Sequence, residues 1–371
     1  MIRVLHSVSN MDRGGIETML MNYYRHIDRS KIQFDFLCNK TKPGAYDDEI
    51  RKLGGRIFHT PGLNPLKYPQ YLKFMSGLFK EYPEYQIVEA HNGALGVYAL
   101  HSAKMNHIPV RIYHAHGAGI TKDWKMLLKL ACKALLPYNI NHHFSCGKAA
   151  AEYYFGRRIT SSQEYTLIPN AIEIDQFVFS NDARTEIRRK YNLENKHVVG
   201  HVGRFVIEKN HAFLLEIFAA LQKKDPQAHL VMLGEGELME EIQDKAKQLG
   251  IYENVSFVGV VTNAHEWYSA FDTFVMTSFR EGLPLVGVEA QASDLPCVFS
   301  KAITPEIGLL DDASFVELSA GVDRWVGAIE AALQRTERKN VCDIIAKYGY
   351  DISVEAVKLQ ERYLELAGAD K

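Results

Sequence analysis

Val198-Val199-Gly200-His201-Val202-Gly203 reads as a short strand that runs at once into Arg204-Phe205-Val206-Ile207-Glu208-Lys209-Asn210 and a helical pattern over 209–224. A β-branched run, a loop opening on glycine and an amphipathic helix make half of a βαβ unit, the building block of parallel sheets. This stretch decides the fold because it is a second beginning. Upstream, strand patterns at 2–8, 33–38, 56–60, 86–90, 110–115, 142–146 and 165–168 already alternate with helical segments. Around 171–196 the alternation lapses into Ile172-Glu173-Ile174-Asp175-Gln176-Phe177 and a charged helix from Arg184 to Tyr191. Downstream it resumes, with strands near 228–233, 255–259, 273–277 and 296–299 and helices near 237–249, 284–293 and 322–335. The expected fold class is α/β, two doubly wound domains covering 1–172 and 173–350, with a last helix in 351–371 packing back on the first. Ligands of such sheets bind beyond the carboxyl ends of the strands, so the predicted site is a cleft between facing halves.

Composition narrows the function. Hydrophobic residues at 47% and charged residues at 24% match an ordinary packed protein and leave no low-complexity stretch to resist folding. The net charge of −2 offers no broad attraction for nucleic acid, which is not an expected partner. Five scattered cysteines without a C-x-x-C pair argue against a disulfide framework or a zinc site. The opening Ile2-Arg3-Val4-Leu5-His6-Ser7-Val8 lacks the form of a signal peptide, and no apolar run is long enough to span a bilayer. A cytoplasmic location is the expectation.

Three turns carry chemistry. Asn10-Met11-Asp12-Arg13-Gly14-Gly15-Ile16-Glu17 joins the first strand to a helix, and its glycines leave helix N-terminal amides open to an anion. It is not a G-x-G-x-x-G, which disfavours a dinucleotide and with it an oxidoreductase. Arg204 and Lys209, five apart across a strand-to-helix loop, can converge on one polyanion such as a diphosphate. In Ser278-Phe279-Arg280-Glu281-Gly282-Leu283-Pro284-Leu285-Val286-Gly287-Val288-Glu289-Ala290, Pro284 suits the first helical position and the helix start again faces an anion. Glu289, farther along that helix, suits the hydroxyls of a sugar or ribose.

In these residues the chain resembles the retaining glycosyltransferases of family 4, with the GT-B fold of two Rossmann-like domains facing across a cleft. The resemblance spans nearly the whole length. It rests on Gly14-Gly15, on Gly203-Arg204 with Lys209-Asn210, on Gly234-Glu235-Gly236-Glu237, and on the E-x7-E pair Glu281 and Glu289. It implies that Arg204 and Lys209 bind the diphosphate of a nucleotide-sugar donor, with Gly15 and the amides of Leu283 and Leu285 completing the site. It implies that Glu281 contacts the transferred sugar, that Glu289 holds the ribose, and that backbone near Val260 and Val261 forms the base pocket. His116, in Tyr113-His114-Ala115-His116-Gly117, matches the family's active-site histidine. Spacing alone does not choose between His114 and His116, since alternate strand residues share a face. The family's usual glycine at the domain junction is replaced by Ala171 in Pro169-Asn170-Ala171-Ile172-Glu173.

No Asp-x-Asp triplet occurs, so the usual carboxylate holder of a nucleotide-bound metal is missing and no metal or other cofactor is expected. Within the family the chain is most similar to bacterial capsule and exopolysaccharide transferases, which implies a UDP-sugar donor and a lipid-linked saccharide acceptor. Residues 122–136 bear on the acceptor. On a helix, Lys122, Lys125, Lys129 and Lys133 fall on one face and Trp124, Leu127, Leu128, Ala131 and Leu135 on the other. Such a helix serves equally to touch an anionic membrane or to cover a core with lysines in water. Two other functions would use the same phosphate site: a UDP-sugar 2-epimerase-like isomerase and a non-catalytic nucleotide-sugar-binding partner subunit.

Overall fold

The computed structural model describes residues 1–117, 119 and 126–368. The chain divides into two compact units, Met1–Ile172 with Asp351–Lys371, and Glu173–Tyr350. The first holds β1 (Ile2–Val8), β2 (Ile32–Cys38), β3 (Ile57–His59), β4 (Tyr85–Ala90), β5 (Val110–Ala115), β6 (His142–Ser145) and β7 (Tyr165–Leu167). All pair in parallel, in the order β3-β2-β1-β4-β5-β6-β7. The second holds β8 (His197–Val202), β9 (Ala228–Leu233), β10 (Val255–Gly259), β11 (Thr273–Met276), β12 (Cys297–Ser300) and β13 (Ser314–Val316), again parallel, in the order β10-β9-β8-β11-β12-β13. Both sheets reverse their strand order beside their first strand, between β1 and β4 and between β8 and β11. Those reversals open the crevices in which doubly wound sheets bind ligands.

Parallel sheets are covered on both faces, so their strands are buried throughout rather than on alternate residues. In β2 every residue is buried, including Gln33 and Asp35. Asp35 is tolerated because Arg3 grips it with two nitrogens at 2.6 and 2.5 Å, Tyr85 Oη donates at 2.6 Å and the Arg56 amide at 2.7 Å. A buried charge is stable only when paired and fully hydrogen-bonded in this way. The C-terminal helix Ile352–Leu366 starts at Asp351, whose side chain accepts from the Ser353 amide at 2.9 Å, and belongs to the first unit. Its Tyr363 is buried beside the rings of Phe34, Phe144 and His6.

Two local readings change. The helix predicted to start at Pro284 is Leu285–Ala292, and Pro284 caps it in an extended conformation (φ −72°, ψ 118°). The helix expected over 122–136 is described from Met126 to Leu135, and its predicted face residues Lys122, Trp124 and Lys125 lie outside the described residues. Within it only Cys132 is buried, with Leu128 packed partly against the core. Leu127, Leu130 and Leu135 are exposed at 77%, 45% and 52%, and Ala131 and Ala134 are exposed between them. The apolar stripe therefore faces outward. Lys133 turns away from it and sets its ammonium 3.4 Å over the ring of Tyr153.

Candidate functional site

In the second unit the predicted groups gather at the carboxyl ends of β8, β10 and β11. The loop after β8 is held open by its neighbours. Gly203 donates to Leu233 O and Phe205 to Glu235 O, each at 2.9 Å, while Leu238 donates back to Phe205 O at 3.0 Å. Gly234 and Gly236 permit that approach. A Cβ on Gly234, which has φ +129°, would stand 2.1 Å from Gly203 O, and one on Gly236 2.5 Å from Phe205 O. The Gly-Glu-Gly-Glu motif thus acts by letting one loop lie against the other. Asn210 adopts a left-handed conformation (φ 55°, ψ 44°) and donates to Thr277 O at 3.1 Å, and Phe279 donates to Glu208 O at 2.9 Å. These bonds tie the loop after β8 to the one after β11.

The tie brings Lys209 Nζ to 2.7 Å from Glu281 Oε1, with both side chains largely buried. The guanidinium of Arg204 is exposed and makes no ion pair among the described residues. Leu283 and Leu285 bury their side chains, which are therefore not presented to a ligand. Leu285 and Val286 open the helix Leu285–Ala292, where the first amides have no helical carbonyl to meet and the dipole favours an anion. Glu289 accepts from Tyr268 Oη at 2.7 Å, and burial, only partly opposed by that bond, pushes its carboxyl up to about 7. Val260 is exposed and Val261 half-buried just past β10, where Gly259 O accepts from the Gly234 amide at 2.8 Å.

In the first unit Gly14, extended, caps the helix Gly15–His26, and Gly15 itself is exposed. The two candidate histidines separate clearly. His114 is 1% exposed, with Nδ1 2.7 Å from Glu89 Oε1, whereas His116, past the end of β5, is half-buried. Only His116 is accessible. Behind it stand residues that the sequence reading did not single out: His6 on β1, Glu89 on β4, His91 just past β4, and Tyr363. His6 Nδ1 lies 3.0 Å from His91 Nε2, His91 Nδ1 lies 2.9 Å from His116 Nε2, and Tyr363 Oη donates to Glu89 Oε2. The one sequence signal for this group is a glutamate near the end of the strand Tyr85–Ala90 with a histidine just past it. Ring nitrogens of His91, His114 and His116 lie within 4.8 Å of one another, the spacing of a possible metal set. A tetrahedral ion with bonds of about 2.0–2.1 Å would hold its nitrogens about 3.3 Å apart. Within this set His91 Nδ1 and His116 Nε2 stand 2.9 Å apart, a hydrogen-bond distance.

The comparisons with known proteins agree with this layout. The family model described as Glycosyltransferase Family 4 matches residues 13–176, and that described as Glycosyl transferases group 1 matches residues 183–351. EpsF of Bacillus subtilis (strain 168), designated a glycosyltransferase, is 36% identical over 356 residues, covering 94% of this chain and 93% of its own. The Escherichia coli UDP-Gal:alpha-D-GlcNAc-diphosphoundecaprenol alpha-1,3-galactosyltransferase is 21% identical over 373 residues, covering 95% of this chain and 94% of its own. Among solved structures, Anabaena HepE in complex with UDP and glucose superimposes with a TM-score of 0.81 at 18% identity, over 98% of this chain and 100% of that one. Two parallel sheets of this topology, both family matches and the full-length relative lead to one conclusion: the chain belongs to glycosyltransferase family 4 and is a glycosyltransferase of the GT-B fold.

Proposed function

We propose that this glycosyltransferase moves a sugar from a UDP-sugar to a lipid-linked saccharide, with retention at the anomeric carbon and without a metal, in building a bacterial surface polysaccharide. The observation that carries the reading is the join of the loops after β8 and β11. It sets Lys209 against Glu281 at 2.7 Å, with Arg204 on the same loop and a helix start at Leu285 following Glu281. Two cations and helix amides suit a leaving diphosphate, whose developing charge they stabilise without a metal. Glu281 then lies where the sugar joined to that diphosphate begins, and Glu289 takes the ribose hydroxyls. His116 contacts the donor sugar.

UDP as the nucleotide is supported by the UDP bound to HepE, and a lipid-linked acceptor by the diphosphoundecaprenol substrate of the E. coli relative. The outward leucines at 127, 130 and 135 support contact with the membrane that would carry such an acceptor, at its cytoplasmic face. Among the described residues no helix is long and apolar enough to cross that membrane. Because the apolar stripe rather than Lys133 faces outward, the leucines are the side chains that would enter the lipid.

The deciding experiment incubates the protein with radiolabelled UDP-sugars and undecaprenyl-diphosphate-linked acceptors, with and without EDTA. Transfer that survives EDTA and keeps the α configuration of the donor is the expected result. Epimerised UDP-sugar, or tight UDP-sugar binding with no transfer to any acceptor, would replace the reading with an isomerase or a partner subunit.

A further inference from the structure

The hydrogen bonds behind His116 form a chain whose direction can be worked out. His6 lies on β1 and His91 and His116 just past the ends of the adjacent strands β4 and β5, and His91 engages a neighbour with each of its ring nitrogens. Every N···N bond needs one N–H and one lone pair, so the neutral chain has two self-consistent arrangements. In the first, His6 Nδ1 and His91 Nδ1 carry protons, and His116 accepts at Nε2. In the second, His116 Nε2 donates to His91 Nδ1, and His91 Nε2 donates to His6 Nδ1. His6 Nε2 has no partner in either, a bare lone pair in the first and an N–H in the second.

Glu89 chooses. Its Oε1 lies 3.5 Å from His91 Nε2 and 2.7 Å from His114 Nδ1, while Oε2 accepts from Tyr363. Whether the carboxyl is ionised or shares its proton with His114, Oε1 keeps a lone pair. A proton on His91 Nε2 is attracted to that oxygen, whereas a lone pair there would be repelled. The second arrangement wins.

We infer that His91 is a positioning residue: held by Glu89 with its proton on Nε2, it accepts the Nε2 proton of His116 and so leaves His116 Nδ1 unprotonated, an acceptor for a hydroxyl of the donor sugar. This rests on the reading of His116 as the group that touches that sugar. The environment keeps the rings neutral, which a fixed tautomer requires. Burial lowers His6 to about 4 and His114 to about 3, and holds His91 and His116 well below the ordinary histidine value. An oriented histidine tautomer of this kind is a recurring device for aiming a lone pair.

Long-range 1H–15N spectra of the full-length protein, labelled at histidine nitrogens, read each tautomer directly. The wild type is expected to show His116 protonated at Nε2 and bare at Nδ1. His91→Phe should leave His116 in mixed tautomers and lower kcat for sugar transfer by roughly tenfold or more, while KM for the UDP-sugar changes by less than about threefold. His91→Asn, whose Oδ1 can stand in for the lost Nδ1 acceptor, should recover most of the rate. A wild-type spectrum with His116 protonated at Nδ1 overturns the inference even if no variant folds, as does stoichiometric zinc in the purified protein with EDTA-sensitive His91 and His116 signals. Transfer unimpaired in His116→Ala would instead remove the reading beneath it. Lost transfer in that variant together with a Nδ1-protonated wild type would leave the reading intact and the inference refuted.

Discussion

Lys209 and Glu281 are the residues whose roles the structure alters most. Read separately, one is a phosphate ligand and the other a sugar contact. Paired at 2.7 Å with side-chain exposures of 16% and 17%, each is the other's ion-pair partner before any donor arrives. On the proposed reading, removing Arg204 or Lys209 deletes charge-assisted bonds to the diphosphate of about 1.5–3 kcal/mol each. Calorimetry should therefore find UDP binding roughly ten- to a hundredfold weaker in Arg204→Ala and Lys209→Ala. Glu281→Ala releases the full charge of Lys209, so UDP should bind that variant as tightly as the wild type or more so, while transfer is lost. Weaker UDP binding in Glu281→Ala would refute the assignment of Lys209 to the phosphates. Glu289 makes a pH prediction. With its carboxyl near 7 in the free protein, ribose hydroxyls that donate to the carboxylate must lower that value on binding. Affinity for a UDP-sugar is then full above pH 7 and falls as the pH drops through about 7, by up to about tenfold per pH unit until the bound-state value is reached. Glu289→Gln should flatten the profile, and a UDP-sugar is the proper probe because its diphosphate has no group titrating there.

At the scale of elements, β2 shows how a parallel sheet tolerates a charge. Asp35 is satisfied on every side by Arg3, Tyr85 and the Arg56 amide, so its loss strands a buried guanidinium. Asp35→Ala should cost about 3–5 kcal/mol, read as a lower urea midpoint at unchanged slope. Arg3→Met with Asp35→Leu should recover much of it. The same scale explains what was legible in the sequence. Strands β1 to β12 and the helix Ile352–Leu366 were readable because short β-branched or aromatic runs alternating with helical periodicity carry their own signal. β13 was not read: Ser314-Phe315-Val316 is placed in the sheet by pairing with β12. The helix Met126–Leu135 was readable as amphipathic, but a pattern of faces does not say which face meets the protein. Only the burial of Leu128 and Cys132 shows that Leu127, Leu130 and Leu135 turn outward. The proposed donor residues Arg204, Lys209 and Glu281 stood out in the sequence because each lies in the segment that directly follows a strand, β8 or β11. The chain of His6, His91 and His116 was not, because strand order alone brings those three segments together.

At the scale of the whole molecule, the chain leaves its first unit at Ile172 and returns to it at Asp351. The return is anchored by the Ile352 amide donating to Ile172 O at 3.1 Å, and then by buried Ile352, Ala356, Leu359 and Tyr363. The first unit is thus completed by a segment that follows the second unit in sequence, and its histidine chain is braced from the helix Ile352–Leu366 through Tyr363 and Glu89. The proposed UDP-binding residues Arg204, Lys209, Glu281 and Glu289 all belong to the second unit, which is continuous in sequence. Truncating a fully buried aromatic to alanine costs about 3–5 kcal/mol, so Tyr363→Ala should lower the thermal stability of the first unit by several degrees. Hydrogen exchange should accelerate in β1, β2 and β4 and leave β8 and β11 protected. UDP affinity should be retained while transfer declines, since the damage is confined to the side that carries His116. If UDP binding fell in step with transfer, the two units would unfold as one, and the separation of donor binding from the histidine chain would have to be abandoned.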